Sequence, residues 1–483
     1  MRIEFDHNIN LPVLPWYKRH ARFWMGCALF LADVLGFTMA GLLVRWTRYL
    51  LQHNWDTSTL ETIYLASLFS VISFILRGLY PGIGISPVSE LRTLTITTSI
   101  VALALSSTSL YIPSLAHFSR MSQGLFWLFG LPILPIFRIG TRYLLSRSPA
   151  WGEPVILLGS GERTQFLYEH LFYRRMLGFD PVLISMESES VKDAIEKSGE
   201  NILKLLEHPQ VFHKMGIKTA IVTSGTIPEP TRTRLLHMQG SVFERIIKVP
   251  DQHDLGSLGV STLDMDGVFA FEVHQNLGSF SRRFSKRLLD LILTIVGGIL
   301  IMPFILLIAW AIHQSSPGEI FYKHTRIGKG GKPFKAWKFR TMISNADEAL
   351  EKTLSENADL RSEWEITQKL KNDPRITPIG RFLRKFSLDE LPQLWNVLRG
   401  EMSLVGPRPC VENQLPFYGS DLDLYLAVLP GLTGLWQVSG RNNTSYAERV
   451  RLDSYYVRNW STWMDLWILF KTIWVVLKHD GAY

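Results

Sequence analysis

Residues 288–312, LLDLILTIVGGILIMPFILLIAWAI, form an apolar stretch longer than the ~20 residues a helix needs to cross a bilayer core. Two features argue against a simple crossing. Both flanks are basic, with Arg282, Arg283, Lys286 and Arg287 before the stretch and Lys323, Arg326, Lys329 and Lys332 after it. Positive charge marks the cytoplasmic side of a membrane segment, so this bias holds both ends on one side. Pro303 lies inside the stretch, where it removes a backbone donor and kinks a helix. The pattern predicts a re-entrant helix that enters one leaflet and turns back at Pro303, with a straight span as the alternative.

Apolar segments also fill the first 140 residues, at 23–44, 60–76, 93–112 and 124–137. The first and third are long enough for a ~30 Å core, and the other two are marginal. In a four-span arrangement Lys18, Arg19, Arg22, Arg77, Arg92, Arg138, Arg142 and Arg147 share one side, and Arg45, Arg48 and Arg120 the other. That imbalance places the N-terminus and residue 140 in the cytoplasm. Residues 1–22 lack a small-residue cleavage site, so the first segment reads as an anchor. Asp33, inside it, is a functional group or a polar contact between helices. The bundle as a whole reads as an anchor or a dimer surface.

Apolar residues make up 47% of the 483, and the net charge is +8, concentrated beside the apolar runs. Such a pattern suits anionic headgroups and phosphorylated substrates. No motif or aromatic-basic strip supports nucleic acid as a partner. Cys27 and Cys410 are the only cysteines, which excludes a disulfide framework or a metal-thiolate site.

Residues 153–272 turn soluble and alternate strand with helix. EPVILLGSGERTQFLYEHL predicts strand, glycine turn, helix, and 218–225 and 244–250 predict buried parallel strands. Gly159 and Gly161 open a dinucleotide-type turn, but Thr164 stands at the third glycine position and the expected acid is met only loosely by Glu187. A packing role and a bound phosphate are both open. The absence of a Tyr-x-x-x-Lys pair argues against a nucleotide-sugar epimerase or dehydratase.

From residue 320 onward, HTRIGKGGKPFKAWKFRTM predicts a hairpin turned by Gly328, Gly330 and Gly331, and 345–370 a charged, solvated helix. Trp460, Trp463, Trp467 and Trp474 fall on one helical stripe, either core or interfacial. Between them lies SLDELPQLWNVLRGEMSLVGPRP (387–409). Its adjacent Asp389 and Glu390 are approached by Arg381, Arg384 and Lys385 and followed by Arg408 between two prolines. Paired acids among guanidinium groups suit phosphoryl chemistry: one carboxylate attacks phosphorus or holds a divalent ion while arginines bind phosphate. The plainer reading is a helix start capped by Ser387.

Residues 370–409 and PGLTGLWQVSGRN (430–442) resemble the bacterial sugar transferases, the monotopic polyprenyl-phosphate phosphoglycosyl transferases. The resemblance covers about 280–483, and the whole layout, with its C-terminal HDGAY, is similar to the long members. It implies a membrane multi-domain chain: a four-helix transmembrane bundle (1–145), an α/β Rossmann-like domain that is regulatory or used for dimerisation (146–275), and an α+β catalytic domain with a re-entrant membrane helix (276–483). The family's usual Ser-Pro at the helix break is Met302-Pro303 here. The implied substrates are a UDP-sugar, galactose first and glucose next, and undecaprenyl phosphate. Asp389 is the implied nucleophile, forming an aspartyl-phosphosugar as UMP leaves. Glu390 orients it or shares a Mg²⁺ with it. Lys338, Arg340, Arg384, Arg408 and Arg441 are implied phosphate or nucleotide ligands, and Asp465 a supporting polar residue near the acid pair. A homodimer, the bacterial inner membrane and a cytoplasmic catalytic face complete the expectation. A scaffold of polysaccharide export, the other alternative, would be expected to lack the acids or arginines, all of which are present.

Overall fold

Each apolar segment near the N-terminus folds as a helix: α1 (Ala21–Gln52), α2 (Thr57–Leu76), α3 (Pro87–Tyr111) and α4 (Arg120–Leu145). The computed structural model describes residues 2–3, 11–12, 14–52, 57–111, 120–158, 162–185, 216–223, 243–249, 260–265, 268–273, 280–315, 318–343, 346–356, 361, 373, 375–440 and 445–478. Helix α3 starts at Pro87 because the Ser86 hydroxyl accepts the Ser89 N–H at 3.2 Å and the fixed φ of proline suits a first helical position. Among the described residues, Ala21–Leu51, Pro87–Thr108, Arg120–Leu145 and Arg282–Ser315 are long and apolar enough to cross a membrane, and Leu60–Leu76 is a shorter apolar helix.

The chain divides into two units, Met1–His253 and Asp254–Tyr483, so the composition boundary near residue 145 falls inside the first. The bundle core stacks Phe37 on Phe74 and Phe126, with ring centroids 6.2 and 5.8 Å apart. Beside it lies a buried ion network. Arg138, fully buried, donates from Nε and Nη2 to the two oxygens of Asp33 at 2.8 and 2.6 Å, and from Nη1 to Glu90 at 2.8 Å. Arg142 reaches Glu90 at 3.2 Å and the carbonyls of Gly82 and Met176. Asp33 is thus a polar contact between α1 and α4, and its charge is matched at both oxygens.

Strands β1 (Glu153–Leu158), β2 (Phe179–Ser185), β3 (Thr219–Thr223) and β4 (Arg245–Val249) make a parallel sheet in the order β2-β1-β3-β4. The two central strands are buried along their whole length, as continuous apolar runs in a parallel sheet require. Helix α5 (Glu162–Tyr173) follows β1. Gly159, Gly161 and Glu187 lie outside the described residues. Thr164, in the first turn of α5, is buried with its hydroxyl 2.8 Å from that of Thr223, so a packed side chain stands where the dinucleotide pattern has glycine. Met25 and Leu29 of α1 join Trp151, Val155, Leu157, Phe179 and Ile221 in one core.

The second unit begins with the hairpin β5 (Val260–Met265) and β6 (Val268–Val273), then the long helix α6 (Phe280–Ser315). Helix α6 runs unbroken through Pro303, so the turn-back expected at that residue does not take the form of a break in the helix. Its central residues are bare, Ile299 being 67% and Leu300 75% exposed, while Ile308 and Ile312 near its end pack on Phe339, Leu383, Leu388 and Leu391. The expected hairpin is β7 (Phe321–Ile327) and β8 (Pro333–Phe339), turned with Gly330 and Gly331 at φ 67° and 75°. Helix α7 (Ala346–Glu356) is the described part of the charged segment. Then come α8 (Pro378–Lys385), a 3₁₀ turn (Leu388–Gln393), α9 (Leu394–Arg399), β9 (Ser403–Val405), α10 (Leu422–Ala427), β10 (Gly431–Thr433), α11 (Tyr446–Arg458) and α12 (Thr462–Lys478). The tryptophan stripe splits between roles, with Trp460 2% exposed in the core and Trp474 53% exposed.

Candidate active site

Asp389 and Glu390 sit in the 3₁₀ turn between α8 and α9, and the turn is fixed from both sides. Upstream, Thr377 caps α8 by accepting the Gly380 N–H. Ser387 stands at the start of the turn with both acids in its first turn, as a helix start would have it, but it takes the left-handed conformation at φ 56° and its side chain makes no capping hydrogen bond. Downstream, the fully buried Asn396 donates to the Lys335 carbonyl at 2.8 Å and accepts the Trp337 N–H at 3.0 Å. Both bonds tie α9 to β8, the strand that carries Lys338.

Lys338 Nζ lies 2.7 Å from Glu390 Oε1 and 3.4 Å from Asp389 Oδ2. Arg408 Nη2 lies 3.5 Å from the same Glu390 oxygen. Arg384 donates to the Thr341 hydroxyl at 2.9 Å and is an electrostatic neighbour of Asp389. Arg340 follows β8, its backbone N–H on the Ile320 carbonyl. Arg441 lies outside the described residues. Asp465 is buried elsewhere, its oxygens taken by Lys286 at 2.7 Å, Tyr456 at 2.7 Å and Trp460 at 3.0 Å. It braces the chain leading to Arg408 through partners it shares with the Val405 carbonyl, and touches neither acid.

Sequence reasoning missed two arginines here. Arg326 donates to the Pro409 carbonyl at 3.4 Å and adds to the positive field on Glu390. Arg449 stands over the Trp436 ring at 5.0 Å, with Arg408 over the same ring at 5.9 Å. Charge runs beside apolar segments look like topology markers, and that resemblance hides Arg326.

The environment drives the two acids apart. Burial acts to raise Glu390, but the charges of Arg408, Lys338 and Arg326 hold it down to about 2. Burial pushes Asp389 up, the Glu390 charge adds to this, and Lys338 and Arg384 oppose it. One carboxylate is therefore a fixed anion and its neighbour a more basic, more nucleophilic oxygen, the division of labour that paired catalytic carboxyls need. The donor set also suits Mg²⁺, which takes one or two carboxylates together with substrate phosphate oxygens. Among the described residues no group of three or more His, Cys, Asp or Glu side chains could hold a metal ion.

Arg408 is delivered by a close backbone crossing. Strand β9 pairs with β10 in parallel, and a Cβ on Gly431 would lie 2.1 Å from the Gly406 nitrogen and 2.4 Å from the Thr433 oxygen. The two motifs 403–409 and 430–434 thus meet where neither glycine can carry a side chain. Gly431→Ala is expected to cost on the order of 3 kcal/mol by overpacking, read as a lower unfolding midpoint of the purified protein.

The site is thus an acid pair ringed by cations, on a body rooted to an apolar helix. Residues 281–479 match the Bacterial sugar transferase family. A UDP-galactose-lipid carrier transferase of Erwinia amylovora is 40% identical over 390 residues, 80% of each chain. An undecaprenyl-phosphate galactose phosphotransferase of Salmonella typhimurium is 39% identical over 376 residues, 76% of this chain and 77% of the relative. A UDP-glucose:undecaprenyl-phosphate glucose-1-phosphate transferase of Escherichia coli is 31% identical over 357 residues, 72% of each. The chain belongs to the bacterial sugar transferase family.

Proposed function

We propose that the protein transfers a hexose 1-phosphate from a UDP-sugar to undecaprenyl phosphate, releasing UMP, as the first membrane step of a surface polysaccharide such as O-antigen, capsule or exopolysaccharide. The split acid pair within its ring of cations is the observation that carries this reading. Galactose is the favoured hexose, because two galactose-named relatives are 40% and 39% identical over 80% and 76% of this chain, against 31% over 72% and 37% over 49% for two glucose-named relatives.

In the first step an Asp389 oxygen attacks the sugar-bearing phosphorus, the diphosphate P–O bond breaks, and UMP leaves with the electron pair. In the second, an oxygen of the polyprenyl phosphate attacks the same phosphorus and the aspartyl O–P bond breaks, regenerating Asp389. Two successive displacements let a water-soluble and a lipid substrate use one pocket in turn. Glu390, anionic throughout, holds Lys338 and Arg408 against the phosphates. Arg340, Arg384 and Arg441 are proposed as further phosphate or nucleotide ligands, and Asp465 as a brace. Mg²⁺ held by Asp389, Glu390 and substrate oxygens would lower the repulsion between a carboxylate and an anionic phosphate.

The catalytic unit is placed on the cytoplasmic face of the bacterial inner membrane, with α6 re-entrant. Support comes from the packing of both ends of α6 on one body: Arg287 near its start bonds the carbonyls of Val397 and Leu398, and Ile308 and Ile312 near its end pack beside Leu388 and Leu391. A helix crossing straight through would carry those ends to opposite sides.

Membranes containing the protein, given labelled UDP-galactose or UDP-glucose with Mg²⁺ and undecaprenyl phosphate, should release UMP and pass label to lipid. Release of UDP would mean ordinary glycosyl transfer and overturn the mechanism. Because Asp389 must be ionised to attack, kcat/KM should fall as pH drops through a pKa above the ordinary aspartate range, and Glu390, at about 2, should add no limb. Lys338→Met removes an opposing charge and should move that acid limb to higher pH in a full pH profile.

A further inference from the structure

We propose that Asp290, inside the apolar helix α6, is a positioning residue that sets the Arg408 loop against the acid pair; this rests on the transferase reading above. Ionisable groups within membrane helices are rare and tend to mark function. Asp290 is 3% exposed, and its two oxygens are used on two successive residues, one backbone N–H and one side-chain hydroxyl. Oδ1 accepts the Leu404 N–H at 3.2 Å, and Oδ2 accepts the Ser403 hydroxyl at 2.7 Å. One helical turn earlier, Lys286 Nζ donates to the Val405 carbonyl at 3.0 Å. Strand β9 is therefore gripped from α6 at each of its residues, and Arg408 follows three positions later.

The same end of α6 holds the other half of the site. Arg287 donates to the carbonyls of Val397 at 2.6 Å and Leu398 at 2.9 Å, which close α9, the helix entered from the Asp389–Glu390 turn. Lys286, Arg287 and Asp290 thus form a jig between the segment bearing the nucleophile and the segment bearing the phosphate-binding arginine. Asp290 itself has no hydrogen bond to either acid or to Arg408, so its effect on the reaction passes through β9.

A double-mutant cycle on the full-length protein in membranes tests this, using UDP-galactose, UDP-glucose and undecaprenyl phosphate. Asp290→Ala should lower kcat/KM about a hundredfold, the scale of a ~1 Å misplacement. Asp290→Asn retains an acceptor for Leu404 N–H and a donor toward the Ser403 oxygen, and should recover most of that loss. The double variant with Arg408→Ala should be no worse than Arg408→Ala alone, because both act through one group. Additive losses, or an Asn variant no better than Ala, would overturn the proposal. Should Asp290→Ala fail to accumulate, Ser403→Ala removes one of the two donors and runs the same cycle. Hydrogen exchange separates this inference from the functional reading. Faster exchange confined to 403–409 in Asp290→Ala supports the positioning role even if the wild type transfers no sugar phosphate, and unchanged exchange there refutes it.

Discussion

Asp389→Asn is expected to abolish transfer, by about four orders of magnitude or more, while the protein folds and inserts as before. The amide keeps the size of the side chain and forfeits only the longer of the two Lys338 contacts, 3.4 Å against the 2.7 Å contact to Glu390, so the ion pair that organises the turn survives. What is lost is the oxygen that forms the bond to phosphorus. Wild-type protein given labelled donor and no acceptor should retain hexose phosphate covalently, and the Asn variant should retain none. Turnover near the wild-type rate in that variant would remove Asp389 from the chemistry.

The second large effect concerns stability. Asp33→Ala leaves the fully buried Arg138 with Glu90 as its remaining carboxylate partner among the described residues, and Glu90 is already shared with Arg142. Breaking a buried pair on one side typically costs about 3–5 kcal/mol, because the abandoned charge keeps its desolvation penalty. The expected result is a sharply lower unfolding midpoint in detergent and little folded protein in membranes. Asp33→Leu combined with Arg138→Met removes both charges and should regain much of the loss, since an apolar pair of similar volume carries no such penalty. A midpoint unchanged by Asp33→Ala would show that the network carries no stability.

What the sequence makes legible is local. Hydropathy marks the apolar helices, glycine spacing marks the β7–β8 hairpin, and β-branched runs mark the buried strands β1 and β3. The acid pair is legible because its chemistry is written in adjacent residues, and Lys338 and Arg408 because their motifs are contiguous. What escapes is pairing across distance. Charge counting reads Arg138 and Lys286 as signposts of membrane orientation, yet one is buried on Asp33 and the other reaches Asp465, 179 positions away. Periodicity cannot report such partners, since they exist only once separate helices and strands have met. Asp290 is hidden in the same way, as one polar letter in a hydrophobic word.

The seating of Met25 and Leu29 in the core of the parallel sheet bears on how the protein is made. The sheet's last strand, β4, ends at Val249, so its core draws on chain that leaves the ribosome at widely separated times. Helix α1 precedes the strands in the chain, so the apolar patch at its start is made before β1, β2 and β3, the strands that cover it. The sheet is in this sense assembled onto a helix made before any of its strands. A fragment that starts after α4 would lack that helix, leaving Val155, Leu157 and Phe179 without the cover that Met25 and Leu29 give them.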